Sequence, residues 1–134
     1  MNLVFLDANV LFSAAYRADA GLRRLWGLGE TQLITSAYAV EEARRNLKLD
    51  EQRDRLEELL ATVNVIAPLP GARPLPSHVQ LPEKDRPILM AAIEAQATYL
   101  LTGDVKDFGA YYGQTIEGVM ILPPAEYLRL YKTK

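Results

Sequence analysis

An α/β fold with a parallel sheet covered by helices on both faces is predicted by three features of the chain. Short apolar runs alternate with helix-compatible segments about five times. The runs at Leu3–Leu6 and Tyr99–Leu101 are continuously apolar, as strands buried on both faces are. Each of these two breaks into a turn that carries an acid, Asp7 in one case and Asp104 in the other. Right-handed crossovers put the C-terminal ends of all parallel strands on one edge of the sheet. In open α/β sheets that edge is where ligands bind.

The 134 residues bound a single domain spanning 1–134, large enough to bury its own core. With 49% apolar and 24% charged residues the composition is that of an ordinary globular protein. The absence of cysteine excludes a disulfide framework, thiol chemistry and a Cys-based zinc site. No apolar run approaches the length of a membrane span. Met1–Asp7 has no basic n-region and no long apolar stretch, so no signal peptide is expected and the expected location is cytoplasmic. A net charge of −2, from 15 basic and 17 acidic residues, leaves no global footprint for nucleic acid, although recognition depends on where charge sits.

The elements follow in order. Leu3–Leu6 is the first strand and Val10–Tyr16 a helix. Gly21–Leu28 places Leu22, Leu25, Trp26 and Leu28 opposite Arg23 and Arg24, the pattern of an amphipathic helix closed by Gly29. Gln32–Thr35 is a second strand, and Ser36 is the natural N-cap of a helix over Ala37–Leu47 with Val40, Ala43 and Leu47 inward. Asp50–Leu60 is a highly charged helix whose Glu and Arg pairs suit a solvent-facing surface. Val63–Ala67 is a third strand. Pro68–Pro82 then holds five of the eight prolines and reads as a rigid loop. It contains His78, the only histidine, which has no second His or Cys to make it a ligand. Pro87 suits the first turn of a helix that runs to about Ala97, with Ile88, Leu89, Ala92 and Ile93 as its core face. Gly118–Leu122 is the last strand, stopped by Pro123 and Pro124, and Ala125–Tyr131 a terminal helix.

The acids are the informative residues. In Leu101-Thr102-Gly103-Asp104-Val105-Lys106-Asp107-Phe108 two carboxylates stand three residues apart just beyond a buried strand, a spacing that lets both face one hard divalent cation. Asp7 follows the first strand, with Asn9 close enough to hydrogen-bond and orient it. Asp85 continues the inward face of its helix by one turn. Each of these acids also suits a helix N-cap, and Glu41 and Glu42 lie where the helix dipole favours acid in any case. Helical periodicity does not choose between those two glutamates. What single caps do not explain is that separate segments deliver acids or their partners to the same rim.

Together these stretches resemble the PIN-domain family, which includes the VapC-type toxins of bacterial toxin–antitoxin pairs. The resemblance rests on Phe5–Ser13, on Thr35-Ser36 followed by Glu42–Leu47, on Asp85 with its apolar helix, on Leu101–Phe108 and on Met120–Leu128. It implies a Rossmann-like three-layer α/β/α sandwich with a central parallel sheet of four to five strands. The implied activity is a metal-dependent endoribonuclease cleaving single-stranded RNA and leaving a 5′-phosphate and a 3′-hydroxyl, with single-stranded or structured RNA as its nucleic-acid partner. The implied catalytic acids are Asp7, Glu42, Asp85, Asp104 and Asp107. Glu42 is preferred to Glu41 because Ala43 and Leu47 supply the small residue and the leucine that follow the family's second acid. Mg2+ or Mn2+ would be held by Asp7, Asp85, Asp104 and Asp107, with Asn9, Ser36 and Thr102 in support. An antitoxin protein and a homodimer are the implied partners. Without metal, so many carboxylates in one pocket would keep some of them protonated at neutral pH. Lys106, Arg86, Arg44 and Arg45 are candidate phosphate contacts.

Three other readings are weaker. A non-catalytic PIN module that binds RNA or a protein partner predicts a missing acid, and none is missing. A haloacid-dehalogenase-like domain needs a second acid two residues after the first, where Asn9 stands. A phosphoacceptor receiver domain needs a paired acid cluster before its first helix and a late lysine after a strand, and neither is evident.

Overall fold

The computed structural model describes residues 1–67 and 74–131. Its six strands are β1 (Asn2–Leu6), β2 (Thr31–Ser36), β3 (Asn64–Ile66), β4 (Tyr99–Leu101), β5 (Thr115–Ile116) and β6 (Val119–Leu122). The helices are α1 (Ala8–Tyr16), α2 (Ala37–Asn46), α3 (Asp50–Leu60), α4 (Arg86–Glu94), α5 (Val105–Phe108) and α6 (Pro124–Leu130). The strands form one sheet in the order β3-β2-β1-β4-β6-β5. All neighbours are parallel except β5 and β6. This is the mixed α/β, Rossmann-like architecture expected from the alternation of apolar runs and helices. Among the described residues no helix is long and apolar enough to cross a membrane.

The register explains why the rim assembles. β1 lies at the centre, and Val4, Phe5 and Leu6 are wholly buried between β2 and β4. Leu6 is level with Leu101 of β4, and Leu101 with Leu122 of β6. The residues one step beyond, Asp7 and Thr102, are therefore neighbours. Backbone bonds continue the pairing past the strands, from Asp7 N to Leu101 O at 3.1 Å and from Thr102 N to Leu122 O at 3.1 Å. On the other side of β1, the buried Thr35 hydroxyl donates to Leu6 O at 2.7 Å and holds the end of β2 level with Asp7.

The helices start where the strands end. Asp7 is extended and its carboxylate accepts the Ala8 N–H at 2.6 Å, capping α1. Ser36 does the same for α2 through Ala39 N at 3.2 Å. α1 buries Ala8, Val10, Leu11, Ala14 and Ala15 and packs against α2 and α3.

The five parallel strands match the expected four to five, and β5 adds a short antiparallel edge through a turn in which Glu117 (φ 49°) and Gly118 (φ 86°) both take positive φ. Three expectations are corrected by the structure. Gly21–Leu28 is a 3-10 segment over Gly21–Gly27, not an α-helix. No side chain caps the segment, which begins and ends in glycine, and Trp26 Nε1 ties it to Leu59 O of α3 at 2.9 Å. The polar side of α3 is not wholly a solvent face. Arg55 donates to Ala15 O and Tyr16 O at 2.9 Å each, and Gln52 to Tyr16 O at 3.3 Å, so α3 satisfies the orphan carbonyls at the end of α1. The helix after Asp85 ends at Glu94 rather than near Ala97, since Gln96 takes a positive φ of 55°. Of the proline-rich stretch Pro68–Pro82, residues 68–73 lie outside the described residues. Residues 74–82 have no regular secondary structure, with Val79 and Leu81 buried and His78 exposed.

Candidate active site

Asp85, Asp104 and Asp107 come together at the C-terminal edge of the sheet. Each offers a carboxylate oxygen, and these oxygens lie within 4.8 Å of one another. Asp104 is held as the N-cap of α5, its Oδ1 accepting the Asp107 N–H at 3.0 Å. Asp85 precedes α4 and its side chain caps nothing. It is buried, and its Oδ2 meets no hydrogen-bond donor among the described residues. A native fold rarely leaves a buried carboxylate oxygen so.

Asp7 stands beside this triad, not within it. Its Oδ1 accepts from Ala8 N. Its Oδ2 accepts from Thr102 Oγ1 at 2.8 Å and Asn9 Nδ2 at 3.2 Å. Asn9 Nδ2 also lies 3.3 Å from Thr102 Oγ1, and Asn9 Oδ1 accepts the Gly103 N–H at 2.8 Å. Thr102 Oγ1 in turn accepts the Asp104 N–H at 3.1 Å. One hydroxyl therefore links the acid after β1 to the acid after β4. Ser36 is placed differently: its hydroxyl caps α2, and so bears on the site only through the helix that carries Tyr38 and Glu42.

The two neighbouring glutamates diverge. Glu41 is exposed and pairs with Arg44, which also pairs with Glu57 of α3 at 2.5 Å. Glu42 is half-buried and faces the rim, where its charge raises the pKa of Asp7 and of Tyr38.

Three tyrosines, none of them singled out from the sequence, pin the backbone around these acids. Tyr38 donates to Lys84 O at 2.8 Å. Tyr112 donates to Thr102 O at 2.7 Å. The Tyr111 hydroxyl accepts from Gln80 N at 2.7 Å and donates to Gln80 O at 3.2 Å. These contacts span 10 to 46 residues of sequence, beyond the reach of any local motif.

The charges leave a clear imprint. Burial pushes the Asp85 carboxyl up to about 7, and its coupling to the neighbouring carboxylates of Asp107 and Asp104 adds to this. The same coupling to Asp85 is the main reason Asp107 falls below the ordinary carboxylate value. Asp7 is raised, first by burial; its bonds to Thr102 and Ala8 oppose this, and Glu42 and Asp104 add to it. Tyr112 is raised by burial and then by Asp104 and Asp7. The basic group against the triad is Lys84, with Nζ 3.6 Å from Asp107 Oδ2 and 3.9 Å from Asp85 Oδ2. Of the four basic residues expected near phosphate, Arg44 turns to α3, Arg86 Nε donates to Leu81 O at 3.2 Å, and Lys106 and Arg45 are exposed.

Comparison with known proteins fits this geometry. A sequence model of the PIN domain matches residues 3–106. The chain belongs to the PIN-domain family. PIN domains are in general metal-dependent nucleases. The same fold occurs in VapBC2 from Rickettsia felis bound to a DNA fragment from its promoter, with 14% identity, a TM-score of 0.65, and cover of 90% of this chain and 98% of that one. It occurs again in VapBC-1 from nontypeable Haemophilus influenzae, with 17% identity, a TM-score of 0.58, and cover of 92% and 98%. No curated protein sequence matches the chain.

The site fits the divalent cation that a PIN domain uses. Three hard oxygen donors converge, and the unpartnered Asp85 Oδ2 is the kind of buried atom a metal ion satisfies.

Proposed function

We propose that this chain is a metal-dependent endoribonuclease acting on single-stranded or structured RNA, as the toxin of a toxin–antitoxin pair. The observation that carries the proposal is the triad of Asp85, Asp104 and Asp107 with the buried, unpartnered Asp85 Oδ2, on a PIN-domain rim. The toxin reading is supported by a fold shared with chains of two VapBC complexes. It carries with it a cytoplasmic location, an antitoxin partner, a homodimer and a single domain over 1–134.

Asp85, Asp104 and Asp107 would hold the cation, Mg2+ or Mn2+. Bound there, it supplies an activated water and stabilises negative charge developing on the phosphoryl oxygens. The chain's own groups do the rest. Thr102 and Asn9 fix the Asp7 carboxylate so that it faces the rim in one orientation. Asp7 and Glu42 would orient water or accept its proton at their carboxylate oxygens. Buried β1 and β4 form a rigid floor that keeps these groups in position.

Cleavage of a labelled single-stranded RNA in Mn2+ or Mg2+, against EDTA and against Asp104→Asn and Asp7→Asn, tests the reading. Cutting that needs metal and is lost in both variants is expected. Folded protein that neither cuts nor binds Mn2+ would overturn it in favour of a binding module.

A further inference from the structure

We propose that Lys84 is a further residue of this metal site: its ammonium is the resident counter-cation of Asp85 and Asp107, and a divalent cation binds by displacing it. The inference rests on the nuclease reading, and on three observations about Lys84.

The first is position. Among the described residues Lys84 is the one basic group ion-paired to the triad, and it touches two of its three members at once. It points at Asp85 Oδ2, the oxygen that has no hydrogen bond. A cation held by Asp85 and Asp107 would sit against the same two carboxylates. Two cations cannot share such partners without strong mutual repulsion.

The second is how loosely the ammonium is held. Its distances of 3.6 and 3.9 Å are longer than hydrogen bonds, and its side chain is 66% exposed. Lysine presents a compact point charge on a flexible stem, without the fork with which arginine grips a carboxylate. Such a group compensates charge and leaves at little cost. The third is its anchor. Tyr38 donates to the Lys84 backbone carbonyl at 2.8 Å. The base of the side chain stays fixed at the mouth of the site while its tip is free to swing.

Mn2+ binding measured by titration calorimetry on the whole chain, without RNA, reads this directly. The variants are Lys84→Met, which keeps the stem and removes the charge, and Lys84→Arg, which keeps the charge. The exposed side chain makes both compatible with the fold. K84M is expected to bind Mn2+ about three- to tenfold more tightly than wild type, and K84R no more tightly than wild type. Binding by K84M at or below wild-type affinity, with wild type binding well, overturns the counter-cation role and leaves the nuclease reading standing. Binding by K84M alone supports displacement and counts against a metal nuclease in the native chain. Absence of binding in all three overturns both.

Discussion

Asn9 Oδ1 accepts the Gly103 N–H at 2.8 Å, joining two residues 94 positions apart and tying the turn after β1 to the turn after β4. Through its amide nitrogen Asn9 also holds Asp7 and Thr102. Asn9→Ala is expected to lower stability by about 1–2 kcal/mol, read from the urea midpoint at unchanged slope. Asn9→Asp keeps the shape, loses the donor and sets a like charge beside Asp7. Its deficit should exceed that of N9A at pH 7 and shrink in acid. Equal deficits at all pH values would refute the role of charge.

Asp85 gives the metal-free protein an inverted pH dependence. In the fold its carboxyl titrates at about 7, against an ordinary value of about 4 when unfolded. A raised folded pKa contributes stability that is complete below about pH 4 and is lost as the pH rises to about 7. Asp7 shifts in the same direction. The lowered Asp107 works the other way, but only below the ordinary carboxylate range. In EDTA, the melting temperature should therefore fall between about pH 4 and 7, and Asp85→Asn should flatten the fall. Mn2+ at the upper end should restore it, because it binds the folded state. A wild-type melting temperature that climbs across this window would contradict the assignment.

Glu41 and Glu42 provide an internal control. Glu42→Gln is expected to reduce RNA cleavage at least tenfold while leaving the fold intact, since only that carboxylate faces Asp7. Glu41→Gln breaks an exposed contact with Arg44, and should change stability by less than about 0.5 kcal/mol and leave cleavage as it was. Parallel kinetics of the two variants distinguish these outcomes, and equal losses would argue against Glu42.

Tyr112 contributes through backbone position. Tyr112→Phe removes the 2.7 Å bond to Thr102 O and should cost about 1 kcal/mol. Because Thr102 orients both Asp7 and Asp104, turnover should fall several-fold with the number of bound metal ions unchanged. A variant with full turnover would show that Thr102 needs no such clamp.

The sequence made the parallel core legible because β1 and β4 are buried on both faces and so read as unbroken apolar runs. The acids were legible for a related reason, each following a strand or opening a helix. β5 was not, because two residues carry no periodicity and its turn uses Glu117 and Gly118 where Asn-Gly is the usual signal. The clamps of Tyr38, Tyr111 and Tyr112 were hidden because a tyrosine beside an apolar residue looks the same whether or not its hydroxyl finds a distant carbonyl. Lys84 was hidden by Asp85 itself, since a lysine next to an acid usually means only a solvated pair. The divergence of Glu41 and Glu42 required the packing of α2: successive helix positions point about 100° apart, and only the fold shows that Glu41 lies on the side that pairs with Arg44 while Glu42 lies toward Asp7.

The bond from Thr102 to Asp7 spans 95 residues, and this has a consequence for biosynthesis. A chain emerging from the ribosome exposes β1, α1 and Asp7 early, yet β1 lacks its inner neighbour until β4 arrives, and the triad lacks two members until Asp104 and Asp107 follow. A product cut off anywhere before Asp104 holds at most one of the three triad carboxylates. If the centre is the nuclease proposed, incomplete chains are harmless to the RNA of the cell that makes them, and activity appears only near the end of synthesis.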